Sequence, residues 1–183
     1  CCLLNNPLGD GVNVIIKVFE ETPRLRTLCG FEEGTESIDW SDSEKGVADA
    51  TLLAAELRAG RAIVGIVSIN CLANKFGEEG LSTLLASIKD TSVRSLCGLI
   101  EGQTVADFSG QNLGPIDCKI MAAEFAFQGF IAGLNSLTID SSGDMNEQHT
   151  YTLSTTSRGV VSGAQALSIP VAGCWIQVED GDL

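Results

Sequence analysis

The chain has 183 residues, 44% of them apolar and only 5% aromatic, so its core has to be built from Leu, Ile, Val and Ala. Its formal charge of −13 excludes the Lys/Arg surplus with which a nucleic-acid binder displaces counterions. A single His, seven Cys without a Cys-x-x-Cys pair, and no nucleotide-binding or zinc-protease motif give no basis for a metal or cofactor.

The chain opens on the phrase CCLLNNPLG, Cys1–Gly9, with no initiating Met and no charged leader. This reads as a start inside a longer protein and not as a signal peptide. In residues 11–22, Val12, Ile15, Ile16 and Phe19 recur at i, i+3, i+4 and i+7, which predicts an amphipathic helix. The stretch RTLCGFEEG at 26–34 follows, then a second phrase, IDWSDSEKG, at Ile38–Gly46. A helix is predicted over 47–60, and a third phrase, INCLANKFG, spans Ile69–Gly77. The helix at 80–90 carries Leu81, Leu84, Leu85 and Ile88 at the same spacing. Then come RSLCGLIEG at 94–102, the phrase ADFSGQNLG at Ala106–Gly114, and a helix over 115–127 with Pro115 at its start. A last phrase, LTIDSSGD, begins at Leu137.

A shift of 68 residues lays Leu28-Cys29-Gly30 on Leu96-Cys97-Gly98 and Ala54-Ala55-Glu56 on Ala122-Ala123-Glu124, with no gap between. Self-similarity at a fixed period marks a repeat architecture. The apolar positions Leu3, Trp40, Cys71, Phe108 and Ile139 stand 37, 31, 37 and 31 residues apart, so each 68-residue unit holds two repeats of unequal length. Strand-like phrase, loop, helix and return predict an α/β chain whose strands stack in parallel with helices on the other side.

The pattern Leu3/Asn6/Leu8/Gly9 and Ile69/Cys71/Asn74/Phe76/Gly77 resembles a leucine-rich repeat of the ribonuclease-inhibitor type. The resemblance implies a horseshoe-like solenoid over residues 1–142, in which a buried Asn bonds the backbone of the neighbouring turn. Ser43, Gln111 and Ser142 stand where that Asn belongs, so these turns depart from the pattern. So do the two Leu-Cys-Gly stretches, each about ten residues before the next phrase, too short for a helical crossover. A looped-out segment or small hairpin is expected there. Residues 143–183 lack a helical stripe; 150–157 and 166–178 read as strands of a degenerate terminal repeat or β-rich cap. The long uncharged run, 159–178, contains Ser162, Gln165, Ser168, Pro170 and Gln177 and makes a poor membrane span.

Alternation along the strands turns the residues between the apolar positions to the open, concave face. The successive outward positions are Cys2, Asp39, Asn70, Asp107 and Thr138; then Leu4, Ser41, Leu72, Ser109 and Asp140; then Asn5, Asp42, Ala73, Gly110 and Ser141. Asp39, Ser41, Asp42, Asn70, Asp107, Ser109, Thr138 and Asp140 are therefore the candidate partner-binding residues, with the four carboxylates in a line along which alternate turns lie about 10 Å apart. The run Glu32–Glu44 is either an acidic docking edge or a solvated loop. Cys29 and Cys97 should not meet, and the thiols read as reduced, mostly buried side chains of an intracellular protein. Trp40 reads as core, Trp175 as an exposed contact, and His149 as an exposed loop residue with no partner set for catalysis.

Three functions fit. The first is a non-enzymatic scaffold that binds a basic protein partner on an acidic concave face. The second is an accessory subunit of a large assembly, touching membrane only indirectly, with contacts through the tail at Trp175 or a flank. The third, a GTPase-regulating role known among proteins the repeat resembles, has no matching motif here.

Overall fold

The computed structural model describes residues 2–140 and, beyond them, three strand segments at 148–152, 154–155 and 161–162. Four helices form where the apolar spacing predicts them: α1, Gly11–Glu21; α2, Val47–Ala59; α3, Gly77–Ile88; and α4, Pro115–Ala126. α3 starts earlier than its apolar stripe because Glu78 and Glu79 sit in its first turn, where carboxylates suit the helix dipole. Short strands alternate with the helices: β1, Ser37–Asp39; β2, Ser68–Asn70; β3, Val105–Asp107; and β4, Ser136–Asp140.

β1 and β2 pair in parallel with Ile38 beside Ile69, and β3 and β4 pair in parallel with Ala106 beside Leu137. Each partner is reached through a helix, the connection a parallel pair requires. The chain is thus α/β, with its described parallel strands in two-stranded pairs. β4 also pairs antiparallel with β5, Gln148–Thr152, and β6, Ser154–Thr155, pairs antiparallel with β7, Val161–Ser162. Part of the expected β structure of the tail is therefore present, whereas residues 166–178, including Trp175, lie outside the described residues. His149 stands on β5 opposite Ile139 and not in a loop, because its segment covers the free edge of β4.

The Leu-Cys-Gly stretch is neither looped out nor a hairpin. Residues 95–98 run along the far edge of β2: Ile69 donates to the Ser95 carbonyl and Cys71 to the Leu96 carbonyl, both at 2.9 Å, and Gly98 donates to the Ile69 carbonyl at 3.2 Å. The same rung occurs in the first unit, where Leu3 donates to the Leu28 carbonyl at 2.8 Å. Each stretch fills a ladder position that would otherwise leave backbone groups unpaired.

The 68-residue period is written into the backbone. Fourteen described residues have left-handed φ, and all fall into seven pairs: Asn5/Ala73, Gly9/Gly77, Gly30/Gly98, Gly34/Gly102, Asp42/Gly110, Glu44/Asn112 and Gly60/Gln128. Only Gly adopts this conformation freely; an L side chain loses roughly 1–2 kcal/mol there. The units thus share strained corners even where the residue type changes.

The core lies between strands and helices and includes Phe19, Leu28, Leu53, Ile69, Phe76, Leu84, Leu96 and Ile120, each fully buried. α2 is buried on most of its surface, with Ala50, Leu52, Leu53, Ala54, Ala55 and Leu57 all inside. α3 packs closely against it: a Cβ on Gly80 would lie 3.2 Å from the Ala50 Cβ. Arg61 closes the end of α1, its guanidinium 4.2 Å from the Phe19 ring centroid while donating to the Phe19 and Leu25 carbonyls at 2.9 and 2.8 Å.

Candidate functional site

Two kinds of carboxylate must be separated: those held inside by backbone amides and those on the strand ends. The inside set repeats at 68 residues. Asp49 sits at the third position of α2, where one oxygen accepts from the Gly46 amide at 2.9 Å and the other from the Asn5 amide at 2.8 Å. Asp117 does the same in α4, accepting from Gly114 and from Ala73, both at 2.7 Å. Each carboxylate thereby caps its own helix and pins a left-handed turn of the preceding phrase. Burial pushes the Asp117 carboxyl above the ordinary range, against the downward pull of those amides.

Glu56 and Glu124 form the second inside pair. Glu124 is fully buried on α4; one oxygen accepts from the Ser95 hydroxyl at 3.1 Å and from the Leu96 and Cys97 amides at 2.6 and 3.0 Å. Its other oxygen accepts from the Ile131 amide at 3.1 Å. Glu56 on α2 accepts from the Thr27 hydroxyl at 2.8 Å and from the Leu28 and Cys29 amides, but its Oε2 has no hydrogen-bond partner. The doubled Leu-Cys-Gly is therefore the backbone half of a lock whose other half is the doubled Ala-Ala-Glu. A buried carboxylate is tolerated because polar groups converge on it.

The thiols in this lock are not poised as nucleophiles. Burial, and then Glu56, push the Cys29 thiol far above its usual value; burial, and then Glu124, do the same for Cys71 and Cys97. Cys118 is buried as well, Cys2 is exposed, and all five are free thiols. Among the described residues no group of three or more His, Cys, Asp or Glu side chains is arranged to hold a metal ion.

The strand ends carry the exposed set. Asp39 and Asp107 are both exposed, at the last position of β1 and β3. Each folds back on the chain: Asp39 accepts from the Ser41 hydroxyl at 2.7 Å and its amide at 2.9 Å, and Asp107 accepts from the Ser109 amide at 2.9 Å. The serine donors, hydroxyl first, hold both carboxyls below the ordinary range and keep them ionised. Ser41, Asn70, Ser109 and Thr138 are half-buried beside them, Asn70 next to Asp39 and Thr138 next to Asp107. Asp140 ends β4.

Three expectations for this face are corrected. The strands end earlier than the phrases, so Asp42 is not on a strand; it occupies a left-handed turn with φ 47°, its amide donating to the Leu72 carbonyl at 3.2 Å. Leu72 does not face outward but is fully buried, because the chain has already turned at Ala73. The rung at residues 95–97 occupies the edge of β2 that β3 was expected to take, so β1 and β3 lie in separate described sheets. Trp40 is buried and stacks on Phe31, 6.0 Å between centroids, with the largely buried Lys45 ammonium 5.7 Å from its ring. The Glu32–Glu44 run is partly neutralised from outside itself, by Arg26 on Glu33 and by Lys75 on Glu44 at 3.0 Å.

Reasoning from sequence missed Asp49, Asp117, Glu56 and Glu124 as a set. The available signal was their recurrence at the period of the repeat. Comparison with family models, curated proteins and solved structures finds no match for this chain.

Proposed function

We propose that this chain is a leucine-rich-repeat-like solenoid that acts as a non-enzymatic scaffold, binding a basic protein segment along its strand ends. One observation carries the reading: Asp39 and Asp107 are exposed, ionised by their serines, and in contact with no Lys or Arg among the described residues. The other half of the argument is the buried chemistry. The inward carboxylates are engaged in holding backbone, and burial keeps the thiols beside them protonated, which supports reading the chain as non-enzymatic. The repeat resemblance is supported by Asn74, whose amide donates to the carbonyls of Trp40, Cys71 and Leu72 at 2.6, 3.0 and 3.1 Å, linking neighbouring turns. Asn6 makes the matching bonds to Leu3 and Leu4 at 2.9 and 3.1 Å. No helix among the described residues is long and apolar enough to cross a membrane.

The test uses an arginine-rich peptide as probe, with binding measured at low and high salt. The double variant Asp39→Asn/Asp107→Asn should weaken binding roughly tenfold at low salt and lose most of the salt dependence, as expected for exposed charges. Equal weakening by Glu32→Gln/Glu36→Gln would move the docking surface to the acidic loop. A second reading, the accessory subunit that docks through a flank, is favoured by α1. There Val14 and Val18, one turn apart, are 66% and 52% exposed.

A further inference from the structure

We propose that Cys2 and Cys29 form a reversible disulfide, made by exchange with a small-molecule disulfide, that ties the first phrase to the Leu-Cys-Gly rung beside it. The two residues are antiparallel bridge partners. The bond from the Leu3 amide to the Leu28 carbonyl, 2.8 Å, makes them a non-hydrogen-bonded pair. In such pairs the Cα atoms approach to about 4.5 Å. Disulfides span Cα separations of roughly 4.4–6.8 Å, so the backbone is already within reach.

The second unit shows the same pairing with another residue. Asn70 faces Cys97, flanked by the bonds Cys71 to Leu96 and Gly98 to Ile69. The backbone of the rung runs close to β2 here: a Cβ placed on Gly98, next to Cys97, would lie 2.9 Å from the Asn70 Cβ. The position opposite the cysteine of the rung is thus an amide in one unit and a thiol in the other, and only the first unit can oxidise across the rung.

Exposure sets the order of steps. Cys2 is reachable from solvent and Cys29 is buried. The Cys2 thiolate attacks one sulfur of the small disulfide, forming a mixed disulfide and releasing one small thiolate. Cys29 then attacks the Cys2 sulfur, the S–S bond to the small group breaks, and a second thiolate leaves. The Cys29 proton passes to the Glu56 carboxylate, which accepts from the Cys29 amide and whose Oε2 is unpartnered, and from there to a departing thiolate. The protein loses two electrons and two protons, and one small disulfide becomes two small thiols once the departing thiolates take up protons. Until the first step places a disulfide against it, burial keeps Cys29 as an inert thiol. Glu124 offers no matching open oxygen, because Ile131 occupies it.

The full chain would be incubated with oxidised glutathione, alkylated, digested with trypsin and examined by mass spectrometry. The expected product links the peptide 1–17 to the peptide 27–45 and disappears on reduction. It should form equally in Cys1→Ser and be absent from Cys2→Ser, whose exposed position makes unfolding no explanation for the loss. A glutathione adduct that stalls on Cys2, a link that survives Cys2→Ser, or no link at all would overturn the proposal.

Discussion

In the first unit, Glu56 gathers three donors from the Leu-Cys-Gly rung and leaves one oxygen bare; in the second, Glu124 gathers the same three and adds the Ile131 amide. The first unit has Asn5 at the turn that Asp49 holds, and the second has Ala73 at the turn held by Asp117. The scaffold is the same, but the second unit is the more completely satisfied one, and the first keeps exposed or open chemistry at Cys2 and Glu56. Matched corners teach which residues the fold depends on; mismatched ones show where the chain is free to do something else.

The largest expected effect tests that asymmetry directly. Glu124→Ala would strip partners from the buried amides of Leu96, Cys97 and Ile131 and from the Ser95 hydroxyl. Each such loss costs roughly 1–3 kcal/mol, so a destabilisation of about 4 kcal/mol or more is expected in urea unfolding. Glu56→Ala removes one donor contact fewer and should cost about 1–3 kcal/mol less. Equal losses in the two variants would mean that the bare oxygen of Glu56 is of no energetic consequence.

The period, the four helices and the inward Trp40 were legible in the sequence because apolar spacing reports which face is buried. The outward aspartates at Asp39 and Asp107 were legible for the same reason. The buried carboxylates were not, since Asp and Glu on a helix ordinarily read as solvated. Nor was the corner at Ala73: alanine gives no hint of a left-handed φ of 56°, which is held by a hydrogen bond from the Ala73 amide to the Asp117 carboxylate, 44 residues away in the chain. Misplacing the corners at Ala73 and Asp42 is what sent Leu72 to the surface and Asp42 onto a strand. The Leu-Cys-Gly rung was hidden because its ladder partner, β2, precedes it across a whole helix.

A second prediction compares neighbours on α3. Leu84 is fully buried and Leu85 only half so. Leu84→Ala should cost about 2–5 kcal/mol as a core cavity, and Leu85→Ala clearly less, as read from urea midpoints at constant slope. The Leu84 position matches Ile16 of α1 at the repeat offset, and Ile16 is slightly open at 8% exposure. Ile16→Ala should therefore fall below Leu84→Ala, so the two-unit comparison extends from polar groups to packing.

The smallest effects belong to the strand ends and are read through pH. Asp39 and Asp107 are held below the ordinary carboxylate range by Ser41 and Ser109. A depressed folded value means that their stabilising contribution is present above the unfolded value and fades as pH falls through the folded one. Asp117 has the opposite sign: burial raises it, so its ionisation opposes folding as pH climbs from the ordinary carboxylate range to the raised one. Stability near the acid edge is thus a sum of opposed slopes, and the exposed pair supplies the part that increases with pH. Asp107→Asn should flatten that rise slightly and lower the neutral-pH midpoint by the same small amount, because the carboxylate's bond to its own turn is what supplies it. NMR titration checks the assignment, with the Ser41 and Ser109 amides expected to shift together below the range of an ordinary aspartate. If the Ser109 amide instead follows a normal or raised carboxyl, Asp107 is not the pre-ionised contact that a basic partner would find.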